Sequence, residues 1–304
     1  MGTASQGSRP TAQQARLPGV GHTVLVIVAH ADDAALFIGG TLRLMADRGA
    51  RLVLLRVTDD RYDSVGLGVP ETIAANTAQM HAALAVLGVS EVIELGWETD
   101  CLGDASEVKL RERFIYHVRR LQPYAVISFD PYGAFHEDNQ DHIRIAHAVD
   151  EMYWTAQFDK HHPEHFAQGL APHGVYERWY FARRVMDVTD AIDITSSVER
   201  KVDAALLHET MLRNYVHQLC LQARTGGHAI AALDQARHGD LRPLLAPLFK
   251  LGAAATGRRH GMDYAEEFRV VRFGGLERYF GVEPRGGVEA RSGSEPREVA
   301  DKHG

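Results

Sequence analysis

From residue 22 onward the apolar positions fall into two alternating patterns. Thr23–Ala29 (TVLVIVA) is an unbroken apolar run, the mark of a strand covered on both faces. Ile38–Arg48 follows with helical spacing, and Arg51–Val57 (RLVLLRV) reads as a second buried strand. The spacing predicts a helix over Glu71–Leu87, stopped by Gly88, a residue suited to a helix C-terminus. A short strand over Glu91–Leu95, a helix over Glu107–Leu121 ending before Pro123, a strand over Ala125–Phe129 and a helix over His142–Trp154 complete the first half. Strands alternating with helices imply right-handed crossovers, and so an α/β fold with a Rossmann-like, mostly parallel sheet and helices on both faces.

The second half is less regular. Trp179–Val188 holds one or two strands, Val198–Leu221 reads as one long helix, and Glu267–Phe273 as a late strand. No linker separates the halves, so the expectation is one domain over residues 21–283 with a C-terminal helical and strand addition. Residues 1–20 and 284–304 lack periodicity and are rich in Gly, Ser and Pro, and read as flexible tails.

In such a sheet, functional groups gather beyond the C-terminal strand ends. Strand one ends in His30-Ala31-Asp32-Asp33 and strand two in Thr58-Asp59-Asp60. Trp97 and Asp100 follow strand three; Asp130 ends strand four, with His136, Asp138, Asn139, Asp141 and His142 beyond it. Four loops thus bring carboxylates and imidazoles to one edge.

Composition narrows the chemistry. Hydrophobic residues make up 45% and charged residues 24% of the 304, a soluble globular balance. The formal net charge of −7 argues against a nucleic-acid or anionic-membrane partner, which would need a basic face. Cys101 and Cys220 are too few for a disulfide framework or a thiolate zinc cluster, and two free thiols suit a reducing, cytoplasmic setting. Neither a membrane span nor a secretion signal is expected, and oligomeric state is left open. The chain carries 17 histidines, the commonest metal-ligand type.

A hydrolytic zinc takes about three His or carboxylate ligands plus a water whose pKa it lowers to ~7. His30 and Asp33 stand three residues apart at one strand end, and His142 opens a helix after strand four. Together they make a candidate ligand set for one metal ion, with Asp32 placed to act as general base. The bland readings are an Asp that merely caps a helix and a His bonded to a nearby carbonyl.

These residues carry a resemblance. The stretch VIVAHADDAALFIGGTL is similar to the AHPDDE…GGTL motif of the PIG-L/LmbE-like zinc deacetylases. Asp141-His142 and the helix after it resemble that family's HPDH segment. Asp193-Ile-Thr with Lys201 and His208 resembles a downstream DIT…K…A…H pattern, and Ala265-Glu-Glu-Phe-Arg a terminal AEaFR strand. The resemblance spans roughly residues 22–275. It implies a zinc-dependent N-deacetylase acting on an aminosugar or glycoconjugate, with His30, Asp33 and His142 as ligands of one Zn2+ and Asp32 as base. Other divalent transition metals suit a mixed His/carboxylate set as well.

Three departures stand out. Ala31 and Ala34 replace the motif's Pro and Glu, and Asn139 stands where the family has the first His of HPDH. Asn donates a hydrogen bond but cannot transfer a proton near pH 7, so Asp32 or His136 inherits that duty. Asn76 aligns with the family's substrate-contacting Arg, which points to a substrate other than a plain inositol glycoside, such as an acylated glycosyl antibiotic intermediate. Substrate-binding candidates are Asp59, Asp60, Asp100, Trp97, Asn76, Tyr132 and His208. The competing readings are a thiol-conjugate amidase with the same zinc site and a sugar-binding protein without catalysis. A second histidine group, His161, His162, His165 and His173, reads as a solvated loop, or as a rim or lid over the metal.

Overall fold

The computed structural model describes residues 16–280, so the outer parts of both expected tails lie outside the described residues. Leu17, expected in the N-terminal tail, is buried against the core. A seven-stranded sheet runs in the order β3-β2-β1-β4-β5-β7-β6. Its strands are β1 (Thr23–Val28), β2 (Arg51–Thr58), β3 (Glu91–Trp97), β4 (Ala125–Phe129), β5 (Glu177–Phe181), β6 (Asp190–Asp193) and β7 (Ala265–Arg272). β3 through β5 are parallel; β7 runs antiparallel to both β5 and β6. The continuous apolar runs are central: Val24–Val28 and all of β4 are buried, as expected for strands covered on both faces.

Helices α1 (Asp33–Asp47) and α2 (Val69–Leu87) pack together with α6 (Val198–Leu206), while α3 (Glu107–Leu121) packs with α4 (Gln140–Thr155) on the other side. A short α5 (Pro163–Ala167) follows. Helices α7 (Glu209–Thr225), α8 (Ala231–His238) and α9 (Arg242–Arg259) close a small second core around Leu212, Val216, Cys220, Leu233 and Leu245, and α10 (Glu277–Phe280) ends the described chain.

Three expectations shift. First, α1 begins at Asp33, not Ile38, because the Asp33 carboxylate accepts the N–H groups of Ala29 (3.1 Å) and His30 (2.8 Å) and turns strand directly into helix. Second, the single helix expected over 198–221 is two, parted at Leu207-His208. The side-chain amide oxygen of Gln79 on α2 accepts Thr210 N–H (3.0 Å), capping α7 from a distant element that local spacing cannot reveal. Third, the Trp179–Val188 region contains one strand end, and the next strand is β6.

A buried pair ties the last strand to the first helix. Lys201 on α6 meets Glu266 on β7 at 2.5 Å. Glu266 accepts the N–H groups of Gly40 (3.0 Å) and Thr41 (2.8 Å) in the middle of α1, while Lys201 donates to the Phe37 carbonyl (3.0 Å). Gly40 is required by this packing, since a Cβ there would lie 2.8 Å from the Ile194 side chain.

Candidate metal centre

β1 and β4 are neighbours, so the turn after β1 and the start of α4 meet at the C-terminal sheet edge. There His30, Asp33 and His142, all buried, bring their ligand atoms together. His30 Nδ1 lies 3.1 Å from His142 Nε2, His142 Nε2 3.3 Å from Asp33 Oδ1, and His30 Nδ1 3.7 Å from Asp33 Oδ2. Tetrahedral zinc with arms of about 2.0–2.1 Å separates its ligand atoms by about 3.3 Å, so the donor set fits a zinc-sized cation.

The outer nitrogen of each ring is held by a carboxylate. Glu137 Oε2 sits 2.9 Å from His142 Nδ1, and Asp141 Oδ2 3.3 Å from His30 Nε2. Each carboxylate holds the ring proton on the outer nitrogen and turns the inner lone pair toward the cluster, the arrangement that orients metal-binding histidines. Asp141 is itself fixed by the N–H groups of Asp100 (2.8 Å) and Leu102 (3.1 Å). The His142 ring stacks on Phe129 with centroids 4.1 Å apart.

Without a cation this nest holds protons. Burial favours the neutral ring of His30, but the Asp141 hydrogen bond and the charges of Asp33, Asp60 and Asp63 prevail and raise it to about 10. His142 behaves alike: burial is outweighed by Asp33 and Glu137, and it rises to about 9. A divalent cation stabilises the same negative field by displacing those protons.

Asp32 precedes α1 yet makes no capping hydrogen bond, which removes the bland reading of that residue. Its carboxylate accepts Tyr215 O–H at 2.9 Å. Burial, then the Asp33 charge, push it up to about 7, the range suited to a base working near neutrality.

The other candidates divide. Asp60 is buried and bound by Arg56 (2.8 Å) and Ala31 N–H (3.1 Å), so it braces the β1 turn. Asp59 is gripped by Arg61 (2.6 Å). Asn76 is buried and donates to the carbonyls of Asp60 (3.1 Å) and Asp63 (3.2 Å), shaping that loop. Trp97 packs against the main core. Asp100 is exposed beside the cluster, and its backbone holds Asp141. Asn139 caps α4, its side-chain oxygen accepting Asp141 N–H at 2.8 Å. His136 is exposed, and Tyr132 is exposed with the Arg269 guanidinium 4.1 Å over its ring; among the described residues neither hydrogen-bonds to the cluster. His208 is buried at the start of α7 and feels the Asp33 charge.

The histidine-rich segment is not a lid. It follows α4 and precedes β5, which places it at the N-terminal sheet edge, opposite the cluster. Arg119 anchors it by donating to the carbonyls of Ala156 (3.2 Å), Phe158 (2.8 Å) and His161 (2.9 Å). His162, Glu164 and His165 do come together, but both ring nitrogens of His165 are engaged, by Arg119 (3.2 Å) and Glu112 (2.8 Å).

Glu137 and Tyr215 escape the sequence reading. Glu137 carries a signal in hindsight, a carboxylate five residues before His142; Tyr215 carries none, since α7 reaches the site only through tertiary packing.

The PIG-L family, described as GlcNAc-PI de-N-acetylase, matches residues 25–153, which include all three candidate ligands and Asp32. A diacetylchitobiose deacetylase of Thermococcus kodakarensis is 25% identical over 198 residues, 64% of this chain and 72% of its own. A 1D-myo-inositol 2-acetamido-2-deoxy-alpha-D-glucopyranoside deacetylase of Corynebacterium glutamicum is 25% identical over 292 residues, 80% of this chain and 98% of its own. The solved N,N'-diacetylchitobiose deacetylase from Pyrococcus horikoshii has the same fold, with a TM-score of 0.68 at 20% identity over 85% of this chain and 86% of that one. The matched segment, residues 25–153, is therefore similar to the PIG-L family over the part of the chain that carries the cluster.

Proposed function

We propose that this protein is a zinc-dependent N-deacetylase that hydrolyses the acetamido group of an aminosugar or glycoconjugate. The observation that carries the reading is the buried His30–Asp33–His142 cluster with the uncapped carboxylate of Asp32 beside it. Relatives that deacetylate acetamido sugars support the choice of bond. His30, Asp33 and His142 would hold the metal, which supplies Lewis acidity to water and to the amide carbonyl when bound.

The chain's own residues supply the proton traffic. Asp32, held by Tyr215, takes a proton from the attacking water and returns it to the leaving nitrogen. Asn139 cannot share that duty, being an amide used as a helix cap. Glu137 and Asp141 keep the two rings facing inward.

Charge supports a neutral or amine-bearing substrate. The cations near this edge are already matched: Arg61 by Asp59 and Glu98, Arg183 by Glu137 and Asp138, Arg269 by Asp130. Asn76, in the place of the family's Arg, is turned into the loop backbone. Among the described residues no helix is long and apolar enough to cross a membrane, and two free thiols suit the cytoplasm.

The test is acetate and amine release from N,N'-diacetylchitobiose, from N-acetylglucosaminyl-inositol and from N-acetylglucosamine 1-phosphate, after chelation and after zinc return. Release from an uncharged substrate, lost with the metal and restored by zinc, is expected. Zinc binding without turnover of any amide overturns the reading in favour of a sugar-binding protein.

A further inference from the structure

We propose that His208 is a catalytic residue whose imidazole donates its Nε2–H to the carbonyl oxygen of the scissile acetamido group. The proposal rests on the deacetylase reading above and supplies a donor from α7 where Asn139 leaves the second-motif position without an imidazole.

Placement comes first. His208 is the residue before α7, and Tyr215 lies seven residues further on. Seven residues are about two helical turns, so both occupy one face. Tyr215 reaches Asp32 at 2.9 Å, which fixes that face toward the base. Of the charged groups around it, Asp33 is the one whose charge bears on the His208 ring, opposing the effect of burial. The main chain holds the residue rigidly, with His208 N–H bonded to the Ala205 carbonyl (3.2 Å) and Leu212 N–H to the His208 carbonyl (2.9 Å).

The side chain is 1% exposed, and Nδ1 is sealed with no partner. No described side chain hydrogen-bonds to either ring nitrogen. An unmatched buried acceptor is better tolerated than an unmatched N–H, so the proton belongs on Nε2. Burial holds the ring neutral, pushing its pKa down to about 4. A neutral imidazole is a donor that needs no proton exchange with solvent, and donors pre-set in a dry site act strongly on developing oxyanions. Burial without a partner does not by itself mark such a role. His117 is also unpartnered, but it sits on α3 beside Arg113 and Arg120. Position separates the two.

The step balances. The water oxygen bonds to the carbonyl carbon, the C=O π pair moves onto oxygen, and Asp32 takes the water proton. His208 Nε2–H shortens its hydrogen bond to that oxygen and keeps its proton. The pair then re-forms C=O, the C–N bond breaks, and nitrogen takes the proton from Asp32, leaving acetate and a free amine.

His208→Ala and His208→Gln test this, with metal content measured in each. The probes are a methylphosphonamidate analogue of N-acetylglucosamine, which mimics the tetrahedral oxyanion, and glucosamine, which lacks the oxygen. His208→Ala is expected to keep its metal, to bind the phosphonamidate about 10²–10³-fold more weakly, and to bind glucosamine as the wild type does. His208→Gln, which retains an N–H donor, recovers part of the loss. Equal weakening toward both probes, or toward neither, overturns the proposal. A measurement on the unaltered protein does not depend on the variants folding: the His208 Nε2–H resonance in 15N-histidine spectra moves downfield when the phosphonamidate binds, and a fixed resonance overturns the assignment. Wild-type protein that releases no acetate and binds neither probe overturns the deacetylase reading and this inference together, whereas an active wild type with an unimpaired His208→Ala removes this inference alone.

Discussion

Histidines at the two edges of the sheet are held by different kinds of partner. At the C-terminal edge, His30 and His142 each present an outer nitrogen to a carboxylate, Asp141 or Glu137, and their inner nitrogens face one another across 3.1 Å. At the N-terminal edge, His165 has both nitrogens engaged and one of them faces the Arg119 guanidinium, while His173 is bonded to the Pro123 carbonyl at 2.8 Å. The first arrangement leaves converging lone pairs in a negative field; the second fills both nitrogens of His165 and adds a fixed positive charge that repels a cation. The identity of the residue is the same at both edges. His30, His142 and His165 each have a nitrogen on a carboxylate; what differs is the remaining nitrogen, which converges on the cluster in His30 and His142 and faces Arg119 in His165.

The sharpest way to break this contrast is to remove one histidine from each group. His142→Ala is expected to abolish both bound zinc and acetate release, while His165→Ala keeps a full complement of metal by atomic absorption. Metal loss in the second variant would erase the distinction. Next in size, Asp32→Asn should cost about 10²–10⁴ in turnover with zinc retained, since it removes the base and not a ligand. Glu137→Gln should weaken zinc affinity about 10–100-fold, read by chelator competition, because it frees the His142 ring while leaving all three ligands in place.

The far edge answers through stability. Arg119→Met leaves the Phe158 and His161 carbonyls without a donor and should lower unfolding free energy by about 1–3 kcal/mol in urea titration, with metal content unchanged.

The smallest effect near neutrality concerns His117, a buried ring with no hydrogen-bond partner at either nitrogen. Burial, then Arg120 and Arg113, depress it to about 4 from 6.5. The unfolded chain therefore binds the proton more readily, so this group's contribution is complete above pH 6.5 and lost as pH falls toward 4. His117→Leu should flatten that acid limb of a melting-temperature profile.

The sequence reading reached the candidate ligands because they lie next to strong local signals. Val24–Val28 is so uniformly apolar that His30 and Asp33 stand out at its end, and His142 opens a helix whose pattern is plain. Asp32 follows from the same turn. The substrate candidates fared differently for a physical reason. Asp59, Asp60 and Asn76 are polar residues at the correct edge, but pattern cannot tell a side chain aimed at a ligand from one satisfied by Arg61, Arg56 or a loop carbonyl. Tyr215 and the break before α7 depend on contacts between α2 and α7, over a hundred residues apart in sequence for Gln79 and Thr210. The histidine-rich segment left both a solvated loop and a rim or lid open because composition carries no information about which sheet edge a loop occupies; that follows from the direction of α4.

The Lys201–Glu266 pair constrains how this protein can be made. All candidate ligands lie before residue 153, yet the backbone of the helix that begins at Asp33 is completed by a carboxylate on the last strand. A ribosome releases the ligands early and Glu266 late, so the nascent chain carries an unfinished α1 through most of its synthesis. A chain cut short before β7 would hold every candidate ligand and still lack the Glu266 carboxylate that meets the Gly40 and Thr41 N–H groups of α1.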